Sequence, residues 1–148
     1  MHDSHIIHRD IKPANVFFVD GVAKIGDLNV SKVLEGKYAE TQTGTPYYTS
    51  PEIWNNSKYD GKVDIWSLGC VLYELATLRP PFLAKDFPGL SRKVTLGYYE
   101  PISTSYSKKL SDLIKSCLQV KTHHRPTAKD LLRHDVFREM ETSKEGEI

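Results

Sequence analysis

The chain has 148 residues, 26% of them charged, and a net charge of +1, a balance that gives no indication of a nucleic-acid or anionic-membrane partner. No apolar run approaches the roughly 20 residues of a membrane helix, and the N-terminal residues lack the basic and apolar regions of a secretory signal. The only cysteines, Cys70 and Cys117, lie in apolar helical patterns, which predicts buried thiols in a reducing compartment. We therefore expect one cytoplasmic globular domain.

The first predicted element is a β-hairpin over residues 16–25. Two apolar runs, 16–19 and 22–25, flank Asp20-Gly21, and an Asp-Gly pair supplies the positive φ angles of a two-residue turn. Residues 27–52 then mix glycine, threonine, asparagine, tyrosine and proline without a period. They predict a long loop, and a loop of that length in a compact domain is usually functional.

Three helices are predicted in the rest of the chain. From Lys62 to Leu78, apolar residues cover nearly every face at helical spacing, which predicts a helix buried on most sides and ended by the prolines of 79–81. Residues 107–119 carry one apolar stripe at i, i+3, i+4, i+7 and i+8, which predicts an amphipathic helix. Residues 127–130 have the pattern of a capping box that opens a third helix.

Six short motifs occur in a fixed order along this framework. They are His8-Arg9-Asp10 with Asn15, Gly26-Asp27-Leu28-Asn29, Gly44-Thr45-Pro46-Tyr47-Tyr48, Ser50-Pro51-Glu52, Asp64-Ile65-Trp66-Ser67-Leu68-Gly69, and His124-Arg125-Pro126-Thr127. In this order the chain resembles the eukaryotic protein kinases over nearly all of residues 1–138. The runs 44–48, 50–52 and 66–74 are most similar to those of NIMA-related serine/threonine kinases.

The resemblance implies a mainly helical fold, the large C-terminal lobe of a kinase with one short β-hairpin. Residues 8–15 correspond to the catalytic loop, 27–52 to the activation segment and 139–148 to a charged C-terminal tail. We expect the small N-terminal lobe to be missing from this sequence, because the catalytic loop comes so early and no glycine-rich phosphate loop is present. We therefore expect this chain to form one wall of a nucleotide cleft.

The same resemblance assigns four residues to phosphoryl transfer. Asp10 corresponds to the catalytic base that orients the attacking hydroxyl, and Lys12 to the cation that neutralises the transferring phosphate of ATP. Asn15 and Asp27 correspond to the ligands of Mg²⁺, which proteins often bind with one or two carboxylates plus substrate phosphates. A lysine at position 12 goes with serine or threonine acceptors in this family.

A second group corresponds to regulation by phosphate. Thr41 occupies the position of the activating phosphorylation, with Thr43 as the alternative. Arg9 is expected to bind that phosphate, which adds a charge of about −1.5 to −2 and three acceptor oxygens. Thr45 is expected to contact Asp10 and Lys12.

The remaining assignments are structural. Glu52 and Arg125 resemble the ion pair that joins the activation segment to the last helices, and Asp64 resembles the buried carboxylate that holds the catalytic loop. The chain departs from the family at Leu28-Asn29, where the usual pattern is Phe-Gly. Asparagine adopts left-handed backbone less freely than glycine, so this change bears on how the activation segment moves.

Two hypotheses follow for function. In the first, the chain is part of an active kinase that transfers phosphate from ATP to serine or threonine of protein substrates, and it is inactive without a small lobe. In the second, it is a truncated, catalytically dead binding or regulatory module. The intact set of Asp10, Asn15 and Asp27 favours the first, since a scaffold has no use for them. Relatives of this kind also suggest association with the cytoskeleton or cilium.

Overall fold

The computed structural model describes residues 1–27 and 46–137 of the chain. Two strands and five α-helices follow one another: β1 (Val16–Val19), β2 (Val22–Ile25), α1 (Pro51–Trp54), α2 (Lys62–Thr77), α3 (Phe87–Leu96), α4 (Lys108–Cys117) and α5 (Ala128–Leu131). Short 3-10 turns cover His2–Ser4, Pro13–Asn15 and Thr122–His124. The described part is therefore mainly helical with a two-stranded antiparallel sheet, in agreement with the predicted class.

Helix α2 is the centre of the core, as its apolar pattern predicts. Trp66 and Cys70 have no exposed surface, and the Trp66 ring stacks on Phe82 with 5.4 Å between ring centroids. The prediction of burial on most sides is wrong for the last turn, where Leu75 is 62% exposed. The helix ends at Thr77, and the next residue, Leu78, has a left-handed φ of 60° just before the prolines.

Helix α4 packs on α2 across a contact that only glycine permits. A Cβ at Gly69 of α2 would lie 2.6 Å from the Cβ of Cys117 on α4, so the missing side chain allows the two helices to approach. Cys117 and Cys70 are both free and buried, as predicted. Burial raises the pKa of the Cys117 thiol to about 11, which makes it a weak nucleophile.

Helix α3 is not among the predicted elements. Pro88 and Gly89 in its first turn have the composition of a loop, and only Leu90 and Val94 on its inner side are buried. Two buried residues give too short a stripe to indicate a helix. Asp86 opens this helix by accepting a hydrogen bond of 2.7 Å from the backbone N–H of Gly89.

The capping box predicted at the start of the last helix is present. The Thr127 hydroxyl accepts from the backbone N–H of Asp130, and the Asp130 carboxylate accepts from that of Thr127. The Thr127 hydroxyl also donates to this carboxylate at 2.6 Å, and this bond, with the one from the Thr127 backbone N–H, holds the pKa of the Asp130 carboxyl below its usual value. None of the helices in the described part is long and apolar enough to cross a membrane.

The predicted hairpin is also present, with Val16 paired to Ile25 and Val19 to Val22. Asp20 and Gly21 form the turn with φ values of 52° and 76°, the pair of positive angles that an Asp-Gly turn supplies. Every residue of β2 is exposed. The predicted loop 27–52 is described only at Asp27 and from 46 onward, and its last two residues belong to α1 instead of the loop.

Candidate active site

Asp64, in the first turn of α2, holds the backbone of residues 8–9. Its carboxylate is 2% exposed and accepts the backbone N–H of His8 at 2.9 Å and of Arg9 at 2.8 Å. The His2 ring donates from Nε2 to the same carboxylate at 2.8 Å. Hydrogen bonds to an ionised acceptor are stronger than neutral ones, so a buried negative charge fixes the start of the predicted catalytic loop.

His8 connects this loop to the end of the hairpin. Its ring has no exposed surface, and Nδ1 accepts the backbone N–H of Asp10 at 3.3 Å. The proton is therefore on Nε2, which donates to the carbonyl oxygen of Gly26 at 2.9 Å. Because Gly26 precedes Asp27, this single ring sets the spacing between the loop and Asp27.

Asp10, Lys12 and Asn15 form one cluster. The Lys12 ammonium lies 2.8 Å from Oδ2 of Asp10. The Asn15 side-chain N–H₂ donates to the same Oδ2 at 3.1 Å and to the Asp10 backbone carbonyl at 2.8 Å. Since the amide nitrogen of Asn15 is directed at Asp10, its side-chain carbonyl oxygen points away from that carboxylate.

Asp27 and Asn15 leave the hairpin at the same end. Asn15 directly precedes β1, and the backbone N–H of Gly26 donates to the Asn15 carbonyl oxygen at 2.9 Å, which adds one rung beyond the last strand pair. Asp27 follows with a left-handed φ of 58° and an exposed side chain. The hairpin therefore joins two residues that are 12 positions apart in the sequence.

The Glu52–Arg125 pair predicted from the sequence is present and buried. Its two hydrogen bonds measure 2.7 and 3.1 Å, and the side chains of Glu52 and Arg125 are 7% and 0% exposed. Arg125 also donates to the backbone carbonyls of Lys62 and Gln119, and its guanidinium lies 5.1 Å from the Trp66 ring centroid. Its Nε–H donates to the Gln119 carbonyl as well, so that all five N–H donors and one ring face of the guanidinium are occupied.

Two contacts that the sequence patterns do not indicate hold residues 46–50 against α2. Ser67 donates from its hydroxyl to the Tyr48 carbonyl at 2.8 Å, and the Tyr48 hydroxyl donates to Glu74 at 2.7 Å. Burial and the Glu74 carboxylate raise the pKa of the Tyr48 phenol well above its usual value. Tyr48 is part of the Gly-Thr-Pro-Tyr-Tyr motif, which is the one signal that could have drawn attention to it.

Several predicted site residues lie outside the described part of the chain. They are Leu28, Asn29, Thr41, Thr43, Thr45 and the tail 139–148. The roles given to them stay predictions. The described part brings together Arg9, Asp10, Lys12, Asn15 and Asp64 in or against residues 8–15, and it places Glu52 and Arg125 in a separate buried centre.

The chain matches the protein kinase domain family over residues 1–137. It belongs to that family. It is 43% identical to serine/threonine-protein kinase Nek4 of Mus musculus over 136 residues, covering 90% of this chain and 17% of that protein. It is 44% identical to Nek5 of Homo sapiens, covering 90% and 19%, and 42% identical to Nek2 of Homo sapiens, covering 91% and 31%. These names confirm the resemblance to NIMA-related serine/threonine kinases, and the chain spans less than a third of each relative's length.

The kinase family uses ATP with Mg²⁺, and the oxygen donors at this site fit such a cation. A carboxamide oxygen and a carboxylate, from Asn15 and Asp27, are hard ligands of the type Mg²⁺ prefers. No group of three or more histidine, cysteine, aspartate or glutamate side chains in the described part forms a cage for a metal ion. Mg²⁺ usually takes one or two protein carboxylates and completes its ligands with water and substrate phosphates.

Proposed function

We propose that this chain is the large lobe of a serine/threonine protein kinase, with the catalytic loop at residues 8–15 and the activation segment at 27–52. The observation that carries the proposal is the cluster of Asp10, Lys12 and Asn15, whose backbone is fixed by the buried Asp64. Protein kinases depend on positioning and electrostatic stabilisation more than on covalent chemistry. A carboxylate held this firmly meets that requirement.

Asp10 acts as the base that orients a substrate hydroxyl and accepts its proton late in the transfer. Asn15 fixes the carboxylate through its N–H₂ group while its carbonyl oxygen stays directed away from Asp10. In this proposal that oxygen and the Asp27 carboxylate bind Mg²⁺. The bound cation supplies neutralising charge to the phosphate oxygens of ATP.

Lys12 neutralises the transferring phosphate. Its ammonium is paired with Asp10, and the lysine side chain is 38% exposed. A half-exposed ion pair of this kind contributes little stability, about 0–1 kcal/mol. Exchanging the Asp10 oxygen for a phosphate oxygen therefore costs little, and the exchange leaves Asp10 available to the substrate hydroxyl.

We expect the 148-residue chain alone to transfer phosphate at or near background. It contributes the residues of one cleft wall, and the loss of a single transition-state donor can already lower a rate by about 10²–10³. Joined to a small lobe, it should phosphorylate serine and threonine in protein substrates. The second expectation, phosphorylation of serine and threonine, concerns this chain joined to a small lobe.

The test compares radiolabelled phosphate transfer from Mg-ATP to a serine- and threonine-containing peptide library. Asp10→Asn in the full-length protein should lower the rate by about 10²–10⁴, and Asp20→Asn in the hairpin turn is the matched control that should not. Equal rates for Asp10→Asn and the unsubstituted enzyme would refute the assigned base. Full-length protein without any transfer activity would favour the binding-module hypothesis instead.

A further inference from the structure

Two arginines in the described part of the chain lie over aromatic rings, and they differ in what their N–H groups bind. Arg125 lies 5.1 Å from the Trp66 ring centroid, and its N–H groups bind the Glu52 carboxylate and two backbone carbonyls. This arrangement uses both properties of a guanidinium, a flat face that stacks and an edge of donors that binds an anion in two places. Arg125 is therefore an example, within the same molecule, of a guanidinium whose face and N–H edge are both occupied.

Arg9 repeats half of that arrangement. Its guanidinium carbon lies 5.9 Å from the Tyr59 ring centroid, within the range of a cation–π contact. None of the ion pairs between described residues uses its guanidinium, whereas neighbouring Lys12 is paired with Asp10. The flat face of the Arg9 guanidinium therefore lies over the Tyr59 ring. No carboxylate within residues 1–27 and 46–137 forms an ion pair with its N–H edge.

Separate elements fix the two partners. The backbone of Arg9 is held by its hydrogen bond to Asp64 in a left-handed conformation with φ of 71°. Tyr59 lies in the turn between α1 and α2, which is fastened on one side by Ser57 N–H donating to the Glu52 carbonyl at 2.8 Å. On the other side the Asp60 carboxylate accepts the Lys62 N–H at 2.9 Å. The contact thus joins the catalytic loop to the start of α2.

We propose that Tyr59 is a positioning residue for Arg9. Its ring supports the guanidinium so that the N–H edge can bind a phosphate monoester or phosphate ion, as the edge of Arg125 binds Glu52. The consequence for catalysis rests on the proposed kinase function, because Arg9 precedes the catalytic Asp10. Phosphate binding by Arg9 does not depend on the kinase function.

The binding arm uses the ¹⁵N-labelled 148-residue chain and inorganic phosphate, with chloride keeping the ionic strength constant. The side-chain Nε–H signal of Arg9, identified by its loss in Arg9→Lys, reports binding, and that of exposed Arg133 reports non-specific attraction. Tyr59→Phe keeps the aromatic face and should bind phosphate within about twofold of the unsubstituted chain. Tyr59→Leu should bind about two- to fivefold more weakly, the size of an exposed cation–π contact.

The second arm uses the full-length protein and measures kcat before and after phosphorylation by an activating kinase. Tyr59→Leu should lower the ratio of the two values by about two- to fivefold, and Tyr59→Phe should preserve it. Phosphate binding that depends on Tyr59 in a protein without turnover would refute the kinase function and support this inference. If phosphate binding depends on Tyr59 but the ratio of the two kcat values does not change, the site binds free phosphate and not the phosphate that the activating kinase adds.

Two results would overturn the inference. One is a Tyr59→Leu variant that matches the unsubstituted protein in both arms, which would mean that the ring does not support the guanidinium. The other is a Tyr59→Phe variant as weak as Tyr59→Leu, which would assign the effect to the hydroxyl and not to the ring. A parallel change of the Arg133 signal in all variants would likewise reduce the binding to general electrostatic attraction.

Discussion

Trp66, Cys70 and Phe82 in the helical part have no exposed surface, whereas every residue of β2 in the hairpin is exposed. The residues proposed for catalysis lie on the hairpin side, in the loop of residues 8–15. Buried Asp64 of α2 holds the start of that loop by accepting two of its backbone N–H groups. The comparison indicates that the helices supply the stability and that the loop receives its geometry from them.

The largest effect is expected at the buried ion pair inside the helical part, where Glu52 of α1 binds Arg125 just before α5. Glu52→Ala leaves Arg125 buried and unpaired, which should lower the free energy of unfolding by about 3–5 kcal/mol. Urea unfolding followed by circular dichroism measures the loss. The double variant Glu52→Met/Arg125→Met should recover part of it, because no lone charge then stays buried.

The exposed Lys108–Asp112 pair on α4 is the matched control for that experiment. Lys108→Met should leave the unfolding midpoint nearly unchanged, since exposed pairs contribute little. A Glu52→Ala variant no less stable than Lys108→Met would contradict the view that the buried pair stabilises the helical part.

The next effect concerns the contact that fixes the catalytic loop. Asp64→Asn replaces one acceptor oxygen with an N–H₂ group facing donors, which should cost about 1–3 kcal/mol. The hydrogen exchange of the His8 and Arg9 amides should accelerate more than that of amides within α2. Asp60→Asn is the control, because an asparagine there still accepts the Lys62 N–H. Uniform acceleration throughout the chain would mean that Asp64 supports the whole fold and not the loop in particular.

The helical core and the turn chemistry were predictable because their signals are local. The apolar faces of 62–78 and the pair Asp20-Gly21 each specify an element within a few residues. Helix α3 escaped prediction since its proline and glycine indicate a loop, and its burial depends on neighbours from elsewhere in the chain.

The candidate site was predictable as a set of residues but not as a set of contacts. The motifs indicate Asp10, Asn15 and Asp64, and Asp64 was expected to hold the loop. The His2–Asp64 contact, by contrast, joins residues 62 positions apart, and neither residue type at such a distance specifies the other. Tyr59 beside Arg9 is a contact of the same kind, which only tertiary packing brings about.

Glycine-to-alanine substitutions compare the two regions with smaller expected changes in stability. Gly69→Ala should lower the free energy of unfolding by about 1–3 kcal/mol, since the added methyl overlaps Cys117 across the α2–α4 contact. Gly21→Ala meets open space in the hairpin and should cost only its left-handed strain, about 1 kcal/mol. Chemical denaturation measures both. A stabilised Gly69→Ala, which ordinary helix propensity favours, would show that the core yields at this contact.

The smallest effect on stability is expected on the hairpin surface, where solubility should respond instead. Phe18 is 72% exposed among other exposed apolar residues of β1 and β2, and contiguous apolar surface promotes association. Phe18→Ser should therefore leave the unfolding midpoint nearly unchanged while the isolated chain stays monomeric to higher concentration in light scattering. Leu132→Ser is the control, because Leu132 is 74% exposed but lies at the end of α5, outside the hairpin surface. If both variants reduce association equally, total exposed apolar area and not the continuous hairpin surface determines it. If neither does, the exposed hairpin does not determine the association of the chain.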